Sequence, residues 1–245
     1  MRLERVGFQY SSQTPLVLEN VSLSIGIDDV VAIVGKSGVG KSTLLRIVAR
    51  SLTPTTGTID HSSRVLRPGA IAYMDQTSTV FPWKKARQII ELSLSRSPTG
   101  TAFGRFEVEH ALEAFGLEGT SEQYPHELSG GMKQRLALAF AILREPALLL
   151  LDEPFGSVDE FTRENLYLLL QAALMRTTMA VVIVTHNTSE CLTLADRVIV
   201  LSGSPAATVS GEFAINEPKP RTATMLLGTD FIALNKVIRQ KISEL

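Results

Sequence analysis

The chain has 245 residues, enough for one large α/β domain or a core with a modest inserted subdomain, and its 44% hydrophobic and 20% charged residues are an ordinary globular balance that can bury a sizeable core. Its net charge of -1 provides no field to gather nucleic acid or an anionic membrane surface. A single cysteine, Cys191, excludes an internal disulfide framework and fits a reducing cytosol.

Arg2, Glu4 and Arg5 follow Met1 with no apolar core behind them, so no secretory signal is expected. Residues 16–25 alternate loosely between apolar and polar side chains and predict a half-exposed strand. Residues 30–34 are a β-branched apolar run that predicts a buried strand, and residues 41–50, with Leu44, Leu45 and Val48 at helical spacing, predict a helix. The turn cluster Thr53-Pro54-Thr55-Thr56-Gly57 leads to strands predicted at 58–60 and 71–74. From 83 to 143 the pattern is mostly helical, broken at Ser97-Pro98-Thr99-Gly100 and at Tyr124-Pro125. Residues 147–151 and 181–185, apolar but for the closing Thr185, read as strands of a parallel sheet covered on both faces. Closing strands are predicted at 198–201 and 207–209, and an amphipathic helix at 230–245. The order is a sheet-and-helix core, a helical insertion and a return to the core. The longest apolar stretches, 147–151 and 179–184, are too short to cross a bilayer, so any membrane task needs a separate membrane chain.

Gly35-Lys36-Ser37-Gly38-Val39-Gly40-Lys41-Ser42, followed by Thr43, stands between the apolar strand and the helix. Gly35 and Gly40 free the backbone to turn its N–H groups around phosphate oxygens. Lys41 brings a cation to the β- and γ-phosphates, the Ser42 hydroxyl suits Mg²⁺, and the helix start aims its positive end at the same anion. The rival dinucleotide fingerprint fails, because Thr43 stands where its last glycine belongs. Nucleoside triphosphate binding follows.

Other polar groups end apolar strands. The 71–74 strand runs through Asp75 into Gln76, the 147–151 strand into Asp152-Glu153, and the 181–185 strand into His186. Carboxyl ends of parallel strands share one edge, so these residues are expected to meet. Asp152 is placed to hold Mg²⁺ through water, Glu153 to orient or deprotonate the attacking water, His186 to bond the γ-phosphate and Gln76 to touch metal and water. Taken singly, Gln76 and His186 are ordinary residues after strands; the phosphate loop gives them meaning.

Leu128-Ser129-Gly130-Gly131-Met132-Lys133-Gln134-Arg135 reads as a helix start with Ser129 as N-cap, and Met132, Leu136, Ala139, Phe140 and Leu143 form an apolar stripe behind it. This octapeptide closely resembles the signature of ATP-binding cassette (ABC) ATPases. The resemblance covers almost the whole chain and implies a P-loop NTPase (RecA-like) α/β core with a mostly parallel sheet, an N-terminal antiparallel β part and an inserted α-helical subdomain. Residues 1–80 and 146–215 would form the core, 81–145 the helical subdomain, and 216–245 a C-terminal tail. Tyr10, with Phe8 as its neighbour and rival, is similar to the aromatic that stacks on adenine. Ser157-Val158-Asp159 keeps the aspartate of the family's Ala-Leu-Asp, and Asn187 replaces the aspartate that commonly follows the switch histidine. The resemblance further implies a head-to-tail homodimer with two ATP molecules. Each would be held by one copy's phosphate loop and the other's Ser129, Gly130, Gly131 and Gln134, with Asp159 at the dimer contact.

Val80-Phe81-Pro82-Trp83 is similar to the Leu-Pro-Trp of importers of nitrate, sulfonate and taurine type. It implies an ATP-hydrolysing subunit on the cytoplasmic face of the membrane, partnered by permease subunits and, through them, a substrate-binding protein. A soluble cassette of the iron–sulfur assembly type is the alternative. The DNA-repair type needs long coiled-coil insertions, the translation type two motif sets, and a small-molecule kinase has no use for Ser129-Gly130-Gly131.

Overall fold

The computed structural model describes residues 1–61, 69–77, 80–96, 108–175, 178–203 and 205–243. The expected break at Ser97-Pro98-Thr99-Gly100 lies outside these residues. In chain order the elements are β1 (Arg2–Phe8), β2 (Leu18–Ser24), β3 (Val30–Val34), α1 (Lys41–Val48), β4 (Thr56–Asp60), β5 (Ile71–Met74), α2 (Ala86–Leu94) and α3 (Val108–Ala114). They continue with α4 (Gly130–Ile142), β6 (Leu148–Asp152), α5 (Glu160–Leu174), β7 (Ala180–Val184), α6 (Thr188–Leu194), β8 (Arg197–Ser202), β9 (Thr208–Ala214) and α7 (Thr229–Ser243).

Two sheets result. The larger has the order β5-β6-β7-β3-β8-β9, parallel except for the β8–β9 pair, and the smaller is an antiparallel β2-β1-β4 sheet. In the larger sheet the central strands bury both faces, and alternate residues supply two separate cores. Val30, Ala32, Leu149, Leu151, Val181 and Ile183 pack with the helices α2 to α7 on one side. Val31, Ile33, Leu148, Leu150, Val182 and Val184 pack with α1 and the antiparallel sheet on the other. Five-residue strands without a polar position are stable only between two such layers.

The strand β1 lacks clean alternation because Arg5 sits at φ 49 and breaks the register with both neighbours. Such a bulge erases the period-two signal that would mark the strand in the sequence. Helix α4 also differs from the single stripe expected, since Ala137, Leu138, Ala141 and Ile142 are buried as well as Leu136, Ala139 and Leu143. It is a core helix, wedged between α2, α3 and β5, and therefore apolar nearly all round. Its core is continuous with that of the sheet face. Among the described residues no helix is long and apolar enough to cross a membrane.

Candidate functional site

The register aligns the carboxyl ends of the central strands. Ile33 and Asp152 are both level with Val184, and Met74 is level with Leu151. The chain therefore leaves β3, β5, β6 and β7 at one height, and the polar residues that follow are brought to a common edge.

At β3 the chain enters the glycine loop. A Cβ on Gly35 would lie 2.4 Å from the Leu201 carbonyl oxygen of β8, so only glycine lets the loop run this close to the sheet. Gly40 takes φ 107, a left-handed conformation that turns the chain into α1. Helix α1 has no side-chain cap and no acid in its first turn, which leaves its N–H groups and positive end to the loop. Lys36, Ser37 and Gly38 are exposed, whereas Lys41 is 5% exposed and donates from Nζ to the carbonyls of Gly35 (2.9 Å) and Lys36 (3.0 Å). Burial lowers the Lys41 ammonium below the usual lysine range, opposed by the nearby charges of Glu153 and Asp152.

Asp152 ends β6 and is 3% exposed. Its Oδ1 accepts from the Ser42 hydroxyl at 3.1 Å and its Oδ2 from the Tyr73 hydroxyl at 3.5 Å. Burial raises its pKa, and the Ser42 hydrogen bond pulls it back. Ser42, Asp152 and the Gln76 amide offer oxygen donors, the chemistry that suits a hard cation such as Mg²⁺. Among the described residues no group of three or more His, Cys, Asp and Glu is placed to hold a metal by itself. An ion that takes one or two protein ligands and completes its shell with phosphates and water fits such a set.

Glu153 follows at φ 51, a left-handed conformation uncommon outside glycine and found where surrounding contacts enforce it. Three contacts do so: its N–H donates to Val184 O at 2.8 Å, and its carbonyl accepts from Gly156 N at 3.3 Å and Gln134 Nε2 at 3.0 Å. The side chain then lies between two others. Gln76 Nε2 is 3.4 Å from Oε2, and His186 Nδ1 is 3.3 Å from Oε1. His186 is largely exposed, on the turn between β7 and α6, where Asn187 caps α6 by accepting from Ser189 and Glu190 N–H groups.

Tyr10 is 57% exposed, its hydroxyl is 3.1 Å from Thr43 Oγ1, and its ring meets Phe8 edge-on. Phe8 is 6% exposed within the core, so of the two aromatics only Tyr10 presents a ring to solvent. Ser129 caps α4, accepting from Met132 N at 3.3 Å, and Ser129 and Gly130 are exposed. Gln134 is 4% exposed, and its amide is committed within its own chain, donating to Glu153 O at 3.0 Å and accepting from Ser157 N at 2.9 Å. Asp159 is exposed and caps α5 through Thr162 N at 2.9 Å. Trp83 is 71% exposed; Phe81 packs edge-on against both Trp83 and Phe140 of α4. Tyr73, Thr185 and Glu190 escaped the sequence reading; the last two are buried just beside His186.

A glycine loop at the end of a central parallel strand, with Lys41, Ser42 and Asp152 converging on it, defines a P-loop nucleoside triphosphatase. The chain belongs to the ABC transporter family, which residues 18–156 match, and is an ATPase of that family. It is 37% identical over 87% of its length to the nitrate import ATP-binding protein NrtC of Synechococcus elongatus, of which it spans 33%. It is 38% identical over 90% of its length to the aliphatic sulfonates import ATP-binding protein SsuB 1 of Shouchella clausii, spanning 84% of that chain. Its fold is similar to a solved ATP-binding cassette described as a dimeric post-hydrolysis state bound to ADP and Pi. There the TM-score is 0.71 and the identity 28%, over 89% of this chain and 99% of the other.

Proposed function

We propose that the chain is the energy-coupling ATPase of a binding-protein-dependent importer whose cargo is a small anion of the nitrate or sulfonate class. The observation that carries the hydrolytic part is the Glu153 carboxylate, set between Gln76 and His186 beside the phosphate loop. The importer part is supported by relatives named for nitrate and aliphatic sulfonate import, matched over most of this chain.

In this reading residues 35–43 wrap the triphosphate, Lys41 swings its ammonium from the Gly35 and Lys36 carbonyls to the β- and γ-phosphates, and Tyr10 stacks on adenine. Ser42 Oγ and Asp152 would hold Mg²⁺, Asp152 through water and Gln76 beside it; bound there, the ion neutralises charge on the β- and γ-phosphate oxygens. Glu153 orients a water and takes its proton as the water oxygen bonds the γ-phosphorus and the bond to the β-phosphate oxygen breaks. His186 steadies Glu153 and bonds the γ-phosphate. Ser129, Gly130 and Gly131 of a second copy would cover the same phosphate, with Asp159 at the contact. Residues 81–145 act as the helical subdomain, and exposed Trp83 faces the membrane partner on the cytoplasmic side.

Purification of the tagged chain from its own membranes tests the importer reading. A co-purifying chain with several membrane spans, and ATPase activity raised by its anion-binding protein, is the expected result. A reproducible complex with non-membrane proteins alone would overturn it.

A further inference from the structure

The carboxyl of Glu190 takes no part in the chemistry assigned above, yet it lies beneath the turn that carries His186. Glu190 is 4% exposed, on α6, four residues after His186. Its Oε2 accepts from the Thr185 hydroxyl at 2.9 Å, while Oε1 is buried without a hydrogen-bond partner among the described residues. The Thr185 oxygen in turn accepts from Asn187 N at 3.0 Å. Asn187 Oδ1 accepts from Ser189 N at 3.0 Å and from Glu190 N at 3.4 Å. The residues on either side of His186 are thus tied to Glu190, one through a hydroxyl and one through a cap.

The groups acting on Glu190 come from every neighbouring element. Burial raises its carboxyl to about 8, the Thr185 hydroxyl and the charge of Arg163 draw it down, and Glu153 pushes it up. Tyr167 and Cys191 complete the surroundings. Arg163 also donates from Nη2 to Val158 O at 2.7 Å, in the loop that carries Asp159. Oε2 accepts from Thr185, while Oε1 meets neither a donor nor an acceptor among the described residues.

We propose that Glu190 is a positioning residue for hydrolysis, fixing through Thr185 the turn that holds His186 against Glu153. The proposal rests on the reading of Glu153 and His186 as the hydrolytic pair. Steady-state ATPase kinetics on the purified full chain test it. Glu190→Ala and Thr185→Val should each lower kcat about 10- to 100-fold through misplacement, with KM for ATP little changed. The two changes combined should cost no more than either alone, because they break one linkage. Glu190→Gln, which keeps the accepting oxygen, should restore most of the turnover. Wild-type kcat in Glu190→Ala or Thr185→Val overturns the proposal, as does a Glu190→Gln protein as impaired as Glu190→Ala, or a loss confined to KM. Thr185→Val conserves volume and leaves Glu190 in place, so a failure of Glu190→Ala to fold does not remove the test. His186→Ala separates the two readings. Full turnover there removes the role of His186, whereas impaired His186→Ala beside unimpaired Glu190→Ala sinks only the role of Glu190.

Discussion

His186 Nδ1 lies 3.3 Å from Glu153 Oε1, joining the turn after β7 to the turn after β6. The contact sets a largely exposed imidazole against a half-buried acid. Glu153 is thereby fixed from both sides, with Gln76 on the other oxygen.

Glu153→Gln should lower kcat by about 100-fold or more, the usual worth of a positioned general base. ATP binding should persist, because residues 35–43 and Asp152 are untouched. Phosphate release measured beside binding of a fluorescent ATP analogue checks both; a turnover near wild type would remove Glu153 from this role.

Ser129→Arg should stop hydrolysis by obstructing the partner's phosphate, and Lys41→Ala should stop it by removing the ammonium from the chain's own. Mixed dimers of the two would contain one site with an intact loop and an intact signature. They should recover turnover that neither homodimer has, up to about half that of wild type if the sites contribute equally. An absence of recovery in demonstrably mixed dimers contradicts a composite site.

Gln134→Leu removes the donor to Glu153 O and the acceptor of Ser157 N. Glu153 O keeps its bond from Gly156 N, and losing these two part-buried hydrogen bonds should together destabilise the fold by ~1–3 kcal/mol. Urea unfolding gives this number directly. The same change should depress kcat, since Glu153 loses one of the contacts that hold its left-handed backbone.

Glu190 gives a pH signature. Its folded value, about 8, lies above that of an ordinary carboxyl, so between the two the folded protein holds a proton that the unfolded chain has released. The stability from this group is complete below the ordinary carboxyl range and is lost as pH rises through about 8. Relative to Glu190→Gln, the wild type should therefore weaken with rising pH, by at most about 1.4 kcal/mol per unit. Chemical denaturation of both proteins at matched pH values measures the difference, and parallel curves would contradict it.

Much of this was legible in the sequence, for physical reasons that differ by element. The strands β3, β6 and β7 stood out because burial on both faces favours apolar residues, and the polar group that closes or follows each marks where the sheet ends. The glycine loop was legible because backbone geometry demands its glycines. Strand β1 was hidden by the Arg5 bulge. Helix α5 was hidden by Phe161, Leu168 and Met175, whose exposed side chains blur its apolar face, and α6 by its shortness. Tyr73, Thr185 and Glu190 carry no motif of their own, and only the folded chain brings them beside Asp152 and His186. The place of Gln134 in the signature octapeptide gave no sign that its amide is turned inward, to Glu153 O and Ser157 N of its own chain.

That inward turn of Gln134 has a consequence for the proposed dimer. The helix that begins with Ser129 would offer its first residues to a neighbour's ATP, while its second turn grips the backbone of its own Glu153. Pressure on one end, from a phosphate bound or released by the other copy, would be felt at the opposite active centre. The two ATP molecules would then be unable to act as strangers: each would rest on a lever whose other arm reaches the hydrolytic acid of the second site.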